Sequence, residues 1–516
     1  TGARVLADAP PAPAPAIPSG LQADLAVGWT REIALGPYMR RRSGPDRYNL
    51  WPAADAERVL VSNGLELWCH AARDGRLLWN SGEPRGWDEW PAGERWHEFF
   101  RGADAEFTWI QPALGAGVAV AALQVPWQDQ QNDSFQQLTI MRPTPERRLF
   151  AFDLATGARL WSHEPVEDWD GESGSFEQRM RVAGPPLIAD GRVYAPYCRM
   201  SGRIEYHVAC FDLASGARLW STWVVSGQGE LNMFNRYTRE YCAAPLVLSG
   251  GRLFAQTNLG VLAALDPESG QALWSATYES IPQQPIRPMG EQRRSTVWRN
   301  AAPVATAGAV LCAPTDAAEL YVLDARDGRR LLAASARALG VPGMPEVLPS
   351  VLLGADESGV WLGGRLLGRW TRTGGWNGQG PLQPLWARAA PPQDDGAPRA
   401  SRHGDLLIVP GSDGPLWLDA RSGTPIADAP EGWDRRATGN VLLAGEHLFT
   451  LSGAQLSACL DWSSLLERAL VDLRGPRSAP AALELLTLRE QRARSLAARG
   501  RVEHALDELA RAREDL

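Results

Sequence analysis

Lysine is missing from all 516 residues, so every one of the 52 basic side chains is arginine. Schiff-base catalysis by a lysine amine is thereby excluded. A guanidinium binds oxyanions through two parallel hydrogen bonds, so this surface favours contacts to carboxylate or phosphate over amine chemistry. Cysteine is scarce: six stand at 69, 198, 210, 242, 312 and 459, with no CxxC spacing and no adjacent pair. That pattern points to neither a zinc site nor a redox dithiol, and an even count permits disulfides without arguing for them. The seven histidines are dispersed and form no Ser/His/Asp or His-rich constellation. No run approaches the roughly 18 apolar residues that a membrane span requires. The net charge of −8 and pI near 5.6 lack the basic footprint of a nucleic-acid binder. The first residues contain neither an initiator methionine nor an apolar signal core, so a processed or excised piece is expected. Alternating Pro and Ala from Pro10 to Pro18 read as a semi-rigid linker over 1–24.

Against these absences stands a repeat. LFAFDLATGARLW, VACFDLASGARLW and VLAALDPESGQALW share one spacing: Asp153, Asp212 and Asp266, then Gly157, Gly216 and Gly270, then Trp161, Trp220 and Trp274. Each aspartate closes a strand of apolar residues, the glycine suits a tight hairpin that needs a positive φ, and the tryptophan falls on the next strand. Weaker copies carry Gly75 with Trp79, Asp324 with Gly328, and Asp419 with Gly423, the last two without the tryptophan. Two further strand signals precede most hairpins, as in AGPPLIADGRVYAPY, which makes four strands per unit. Glycines 157, 216, 270 and 328 are 54 to 59 residues apart, and the 95 residues from 328 to 423 hold a degenerate unit around 348–386.

Short strands at this period predict an all-β fold, an eight-bladed β-propeller of four-stranded antiparallel blades over 25–465. The eighth unit, 440–462, lacks an outer strand. LAVGWTREIAL (25–35) can supply it, with Trp29 in the docking place. The copies resemble the pyrroloquinoline-quinone-like repeat family, whose blades carry an Ala-x-Asp-x-x-x-Gly-x-x-x-Trp docking motif. The resemblance implies a structural role for these aspartates, glycines and tryptophans. The family holds both quinoprotein alcohol dehydrogenases and cofactor-free relatives, such as the propeller lipoprotein of the outer-membrane barrel-assembly machine. Its fold therefore does not choose a function.

Residues 466–516 change to a helical pattern, and LAARGRVEHALDELARA is similar to the turn and second helix of a tetratricopeptide unit. Such a hairpin is expected to pack on the propeller, pair with another chain or begin a longer array. Insertions are expected at 81–107, 124–147, 278–298 and 371–400. The first is rich in aromatics (Trp87, Trp90, Trp96, Phe99, Phe100) and suits a cap over the ring or a partner contact.

Alignment of the first strands on Pro112, Pro186, Pro245 and Pro303 puts Phe107, Arg181, Glu240 and Trp298 at one level of the channel. Tyr241 and Arg299 fall on the next level, followed by Trp109 and Asn300. These eight residues are the candidate ligand-binding mouth, suited to an acidic or planar ligand or to mere solvation of strand ends. The family's quinone enzymes use a Glu, Asn and Asp set around calcium, an aspartate base and commonly a disulfide between adjacent cysteines. Only Glu240 and Asn300 match part of that set. The expectation is a noncatalytic scaffold or binding module with no catalytic residues, no cofactor and no metal. It would engage protein partners through its rim, loop insertions and helical tail. The resemblance implies an extracytoplasmic (periplasmic or cell-surface) location. The alternatives are a quinone-dependent alcohol or sugar dehydrogenase with calcium, and the ligand-sensing domain of a larger receptor.

Overall fold

The computed structural model describes residues 25–515 apart from 34–49, 87–108, 127–130, 136–137, 143–145, 165–173, 201–202, 228–240, 282–296, 391–398, 412, 428–429, 431–432, 434–437, 446, 453–454, 475–478 and 499. Phe107, Glu240, the 1–24 linker and the aromatic cluster of the first insertion lie outside these residues.

Eight antiparallel sheets follow one another along the chain and close into a ring, each with a short inner strand, two long buried strands and an outer strand. Blade 1 is Ala53–Ala54, Arg58–Ser62, Leu67–Ala71 and Leu77–Asn80. Blade 4 is Val247–Ser249, Arg252–Gln256, Val261–Leu265 and Ala272–Thr277. Blade 3 adds a fifth strand, Arg181–Val182, to its second strand. The middle strands are apolar on both faces, as Leu253 to Ala255 and Val261 to Leu265 illustrate, because each blade is covered by a neighbour on either side. Inner strands of most neighbouring blades touch, including the first against the last, and blades 3 and 4 are joined just ahead of theirs by the Ala243 N–H donating to Ala183 O.

Ring closure is made by the N-terminal strand Leu25–Glu32. It pairs antiparallel with Gln455–Asp461 of blade 8, from Leu25 opposite Asp461 to Glu32 opposite Gln455. An unpaired edge is thereby satisfied by the far end of the chain.

The repeat motif locks one blade to the next. Asp153 Oδ1 accepts the Thr156 N–H (2.8 Å) and hydroxyl (2.7 Å), fixing a turn in which Gly157 has φ +74°. These bonds, the Thr156 hydroxyl first, hold the Asp153 carboxyl below its ordinary pKa. Gly157 is covered by Trp79 of the preceding blade, whose indole N–H donates to Leu154 O at 3.0 Å. The same relation joins Trp29 to Ala72 O (2.9 Å), Trp161 to Leu213 O (2.9 Å), Trp220 to Pro267 O (3.1 Å) and Trp274 to Ala325 O (3.1 Å). Each tryptophan thus serves the glycine turn of the following repeat, not its own.

Blade 6 holds a docking residue that its degenerate sequence hid. Trp386, on Gln383–Ala389, covers Gly423 and donates to Ala420 O at 3.1 Å. Part of the expected 371–400 insertion is therefore the outer strand of this blade. The seam between blades 5 and 6, where the motif tryptophan is absent, is filled instead by an apolar cluster around Trp298, Leu339, Trp370 and Trp376.

The helical region starts at Trp462, earlier than the 466 boundary, and forms three helices. Short helix α1 (Phe176–Arg179) lies in blade 3's approach; α2 (Trp462–Arg474), α3 (Ala479–Ala498) and α4 (Val502–Glu514) follow the ring. Leu465, Leu466 and Ala469 of α2, with Leu485 and Leu488 of α3, share one core with Trp29, Val59, Val61 and Phe449. Ser495 of α3 donates to Val27 O at 2.9 Å, and Arg73 of blade 1 donates to Glu484 O at 2.9 Å. The tail therefore packs on the propeller, over the seam where the ring closes. Helix α4 is held on α3 by Arg489, which meets Glu508 at 2.9 Å and Asp515 at 2.7 Å.

Candidate functional site

The residues just ahead of the inner strands form a collar of interblade hydrogen bonds. Trp51 N–H donates to Ile110 O (2.8 Å), Ala243 N–H to Ala183 O (2.9 Å) and Arg299 N–H to Ser350 O (2.8 Å). Amide side chains complete it. Asn300 Nδ2 donates to Ala243 O at 3.1 Å, and its Oδ1 accepts from Asn258 Nδ2 at 3.1 Å. Asn440 accepts the Arg399 N–H (3.1 Å) and donates to Leu50 O (2.8 Å), tying blades 7, 8 and 1 together. Asn300 is fully buried, so each of these bonds also removes a desolvation cost that an unpaired amide would incur.

Arg399 crosses this collar. Its guanidinium donates to the Asn300 carbonyl and lies 5.1 Å from the Trp109 ring centroid, joining blade 5 to blade 2 on the other side of the ring. Trp109 in turn stacks on Trp51, centroids 4.9 Å apart and planes 8° from parallel, and donates to Gln111 Oε1 at 2.9 Å. A small cavity of about 10 Å³ beside Trp109, room for little more than one water molecule, is lined by Ser62, Trp109, Gln111, Arg147 and Pro185. The groups that meet here among the described residues are an indole pair, amides and guanidinium groups, hydrogen-bond donors and π faces rather than a nucleophile or a general base.

The eight residues singled out by the first-strand alignment have separate fates. Trp109 and Asn300 are brought together through Arg399. Arg181 is buried in blade 3 with its Nε 3.2 Å from Glu146, which also holds Arg148 at 2.7 Å. Tyr241 donates to Thr257 O and meets Tyr206 edge-on, 6.3 Å between centroids, and burial pushes its phenol well above the ordinary pKa. Trp298 is packed between blades 5 and 6, and Arg299 lies beside it with its N–H on blade 6. Phe107 and Glu240 lie outside the described residues. Arg399, Trp51, Asn258 and Asn440 were missed. Their only signal is position, each near an inner-strand start or turn, and the proline alignment did not reach blades 7 and 8.

A calcium ion bound through the Asn300 amide would have to displace the partners that amide already holds. Calcium wants six or more oxygen ligands, and among the described residues no three His, Cys, Asp or Glu side chains gather into a group that could hold a metal. All six cysteines are buried thiols, and burial pushes that of Cys210 up to about 11 and those of Cys69 and Cys459 to about 12. No helix of the described residues is long and apolar enough to cross a membrane.

Comparison with known proteins places the fold. The quinohemoprotein alcohol dehydrogenase from Comamonas testosteroni is similar over 85% of this chain and 76% of its own, at 13% identity and a TM-score of 0.51. BamB from Moraxella catarrhalis is similar over 80% of this chain and 84% of its own, at 13% identity and a TM-score of 0.35. At such identities the likeness is one of fold alone. No curated protein matches the chain. The sequence model described as "Outer membrane protein assembly factor BamB" matches residues 26–275 and 207–464, which together span the whole propeller, and the chain belongs to that pyrroloquinoline-quinone-like repeat family.

Proposed function

We propose that the protein is a noncatalytic propeller scaffold that binds other proteins, works without a quinone or metal, and acts outside the cytoplasm. The observation that carries this reading is the engagement of the mouth by the protein itself. Arg399 takes the Trp109 face and the Asn300 carbonyl, while both ends of the Asn300 amide hold blades 4 and 5 together. A catalytic mouth needs groups left available for substrate, whereas a scaffold gains from a stiff ring. The family description, an outer membrane assembly factor, supports a protein-binding role and an extracytoplasmic setting.

The test is reconstitution of the purified protein with pyrroloquinoline quinone and calcium, followed by dye reduction over primary alcohols, aldehydes and sugars. The scaffold reading expects no turnover. Turnover at rates usual for enzymes, about 1 per second or faster, would overturn it and make Asn300 and Arg299 the first residues to mutate.

A further inference from the structure

The outer strands of the blades are short or protected, with one exception. Those of blades 1, 2, 4, 5, 6 and 7 run three to seven residues, and the longest of these six begins Gln383-Pro384. The eight-residue closing strand Leu25–Glu32 is covered by α3, whose Ser495 bonds Val27 O. Blade 3 differs: its outer strand Arg218–Gly227 has ten residues, pairs on its inner side with Ile204–Asp212 and has no strand on its other side among the described residues. From Leu219 to Gly227 (LWSTWVVSG) it contains no charge and no proline, the devices that ordinarily blunt an edge.

Beyond Arg218 its exposed side chains are two large apolar ones and the small Ser221. Trp223 is 58% exposed and Leu219 50%. The Trp223 indole N–H donates to Ser226 Oγ at 3.1 Å, which holds the ring along the strand. One end is anchored, since Arg218 pairs with Glu177 at 3.1 Å and lies over Phe176. An extra residue at Val224 interrupts the ladder to the neighbouring strand, so Trp223 stands beside a local twist.

We propose that this edge takes up an extended, apolar segment of a partner protein as a fifth strand, with Trp223 as the platform for its side chains. This rests on the protein-binding reading above and gives it a surface. The backbone N–H and C=O groups on that side of the strand, which have no strand partner among the described residues, supply affinity, and alternate side chains of the incoming strand supply selectivity. A second copy of the propeller is a poorer occupant. Two rigid convex rims meeting along one edge bury far less than the ~800 Å² per partner of a standard stable interface, whereas a flexible segment can follow the strand and fold over the indole.

The probe is a fluorescein-labelled ten-residue peptide of alternating valine and threonine, titrated into the full chain by anisotropy with amide hydrogen exchange in parallel. Saturable binding is expected, with slowed exchange confined to Arg218–Gly227 and its neighbouring strand. Trp223→Lys should weaken it tenfold or more, and Leu506→Lys, at an exposed apolar site on α4, should not. Since Trp223 is largely exposed, matching thermal melts will show that the lysine variant is folded. Absent binding, binding indifferent to Trp223→Lys, or a Trp223-dependent dimer in sedimentation without peptide uptake would each overturn the edge. Peptide bound elsewhere would leave the protein-binding reading intact, while quinone-dependent turnover would remove that reading instead.

Discussion

Trp220 lies flat against Gly270: a Cβ built on that glycine would sit 2.4 Å from Trp220 Cε3, and the indole N–H reaches Pro267 O of the same turn at 3.1 Å. Gly270 has φ +72°, so two separate demands fall on one residue, a left-handed backbone and room for an indole. Gly251 has φ +68° with nothing within 4 Å of its built Cβ, so it carries the first demand alone. Gly251→Ala is expected to cost about 1 kcal/mol, near the lower end of αL strain, and Gly270→Ala distinctly more. Urea titration of both variants checks this; equal losses would mean that the stack adds nothing.

The docking tryptophans carry the ring. Trp274 is 8% exposed and covers Gly328, and its replacement by alanine should cost about 3–5 kcal/mol. Trp433→Ala, outside the motif and only half-buried beside the cluster of blades 7 and 8, should cost less. Denaturation midpoints at constant m-value are the measurement, and a reversed order would refute the motif's structural role.

Removing residues 479–515 should lower the melting temperature, because Leu485 and Leu488 leave the core that also holds Trp29 and Phe449. Amide exchange should rise first in Leu25–Glu32, the strand that Ser495 touches. An unchanged melt would reduce α3 and α4 to an ornament on an independent ring.

Acid should weaken the fold before the carboxylates titrate. Burial holds His447 and His403 down at about 4, with Arg468 lowering His447 further, against about 6.5 in an unfolded chain. Both are neutral in the fold but take up protons when unfolded, so stability is full above pH 6.5 and falls as pH drops from there toward 4. His447→Phe, next to Phe449 in blade 8, should shrink the drop in melting temperature between pH 7.5 and pH 5. An identical drop in the variant would exclude His447 as a contributor.

The sequence by itself determined the blade. An Asp-x-x-x-Gly-x-x-x-Trp run encodes a turn whose hydrogen bonds lie within five residues, such as Gly157 N–H to Asp153 O and Asp153 N–H to Ala158 O, so its geometry is legible wherever the run is intact. Eight units and the missing outer strand of the last followed from counting. What each tryptophan touches was not so encoded: Trp79 reaches Leu154, 75 residues on, and Trp386 had no intact repeat around it to reveal it. The channel mouth depended still more on the tertiary structure. The alignment set Arg181 and Asn300 on inner strands, but only the ring brings Glu146 to the first and Arg399, 99 residues away, to the second. A local turn is fixed by neighbours in the chain, whereas the availability of a buried side chain is fixed by whichever distant groups pair with it when the ring closes.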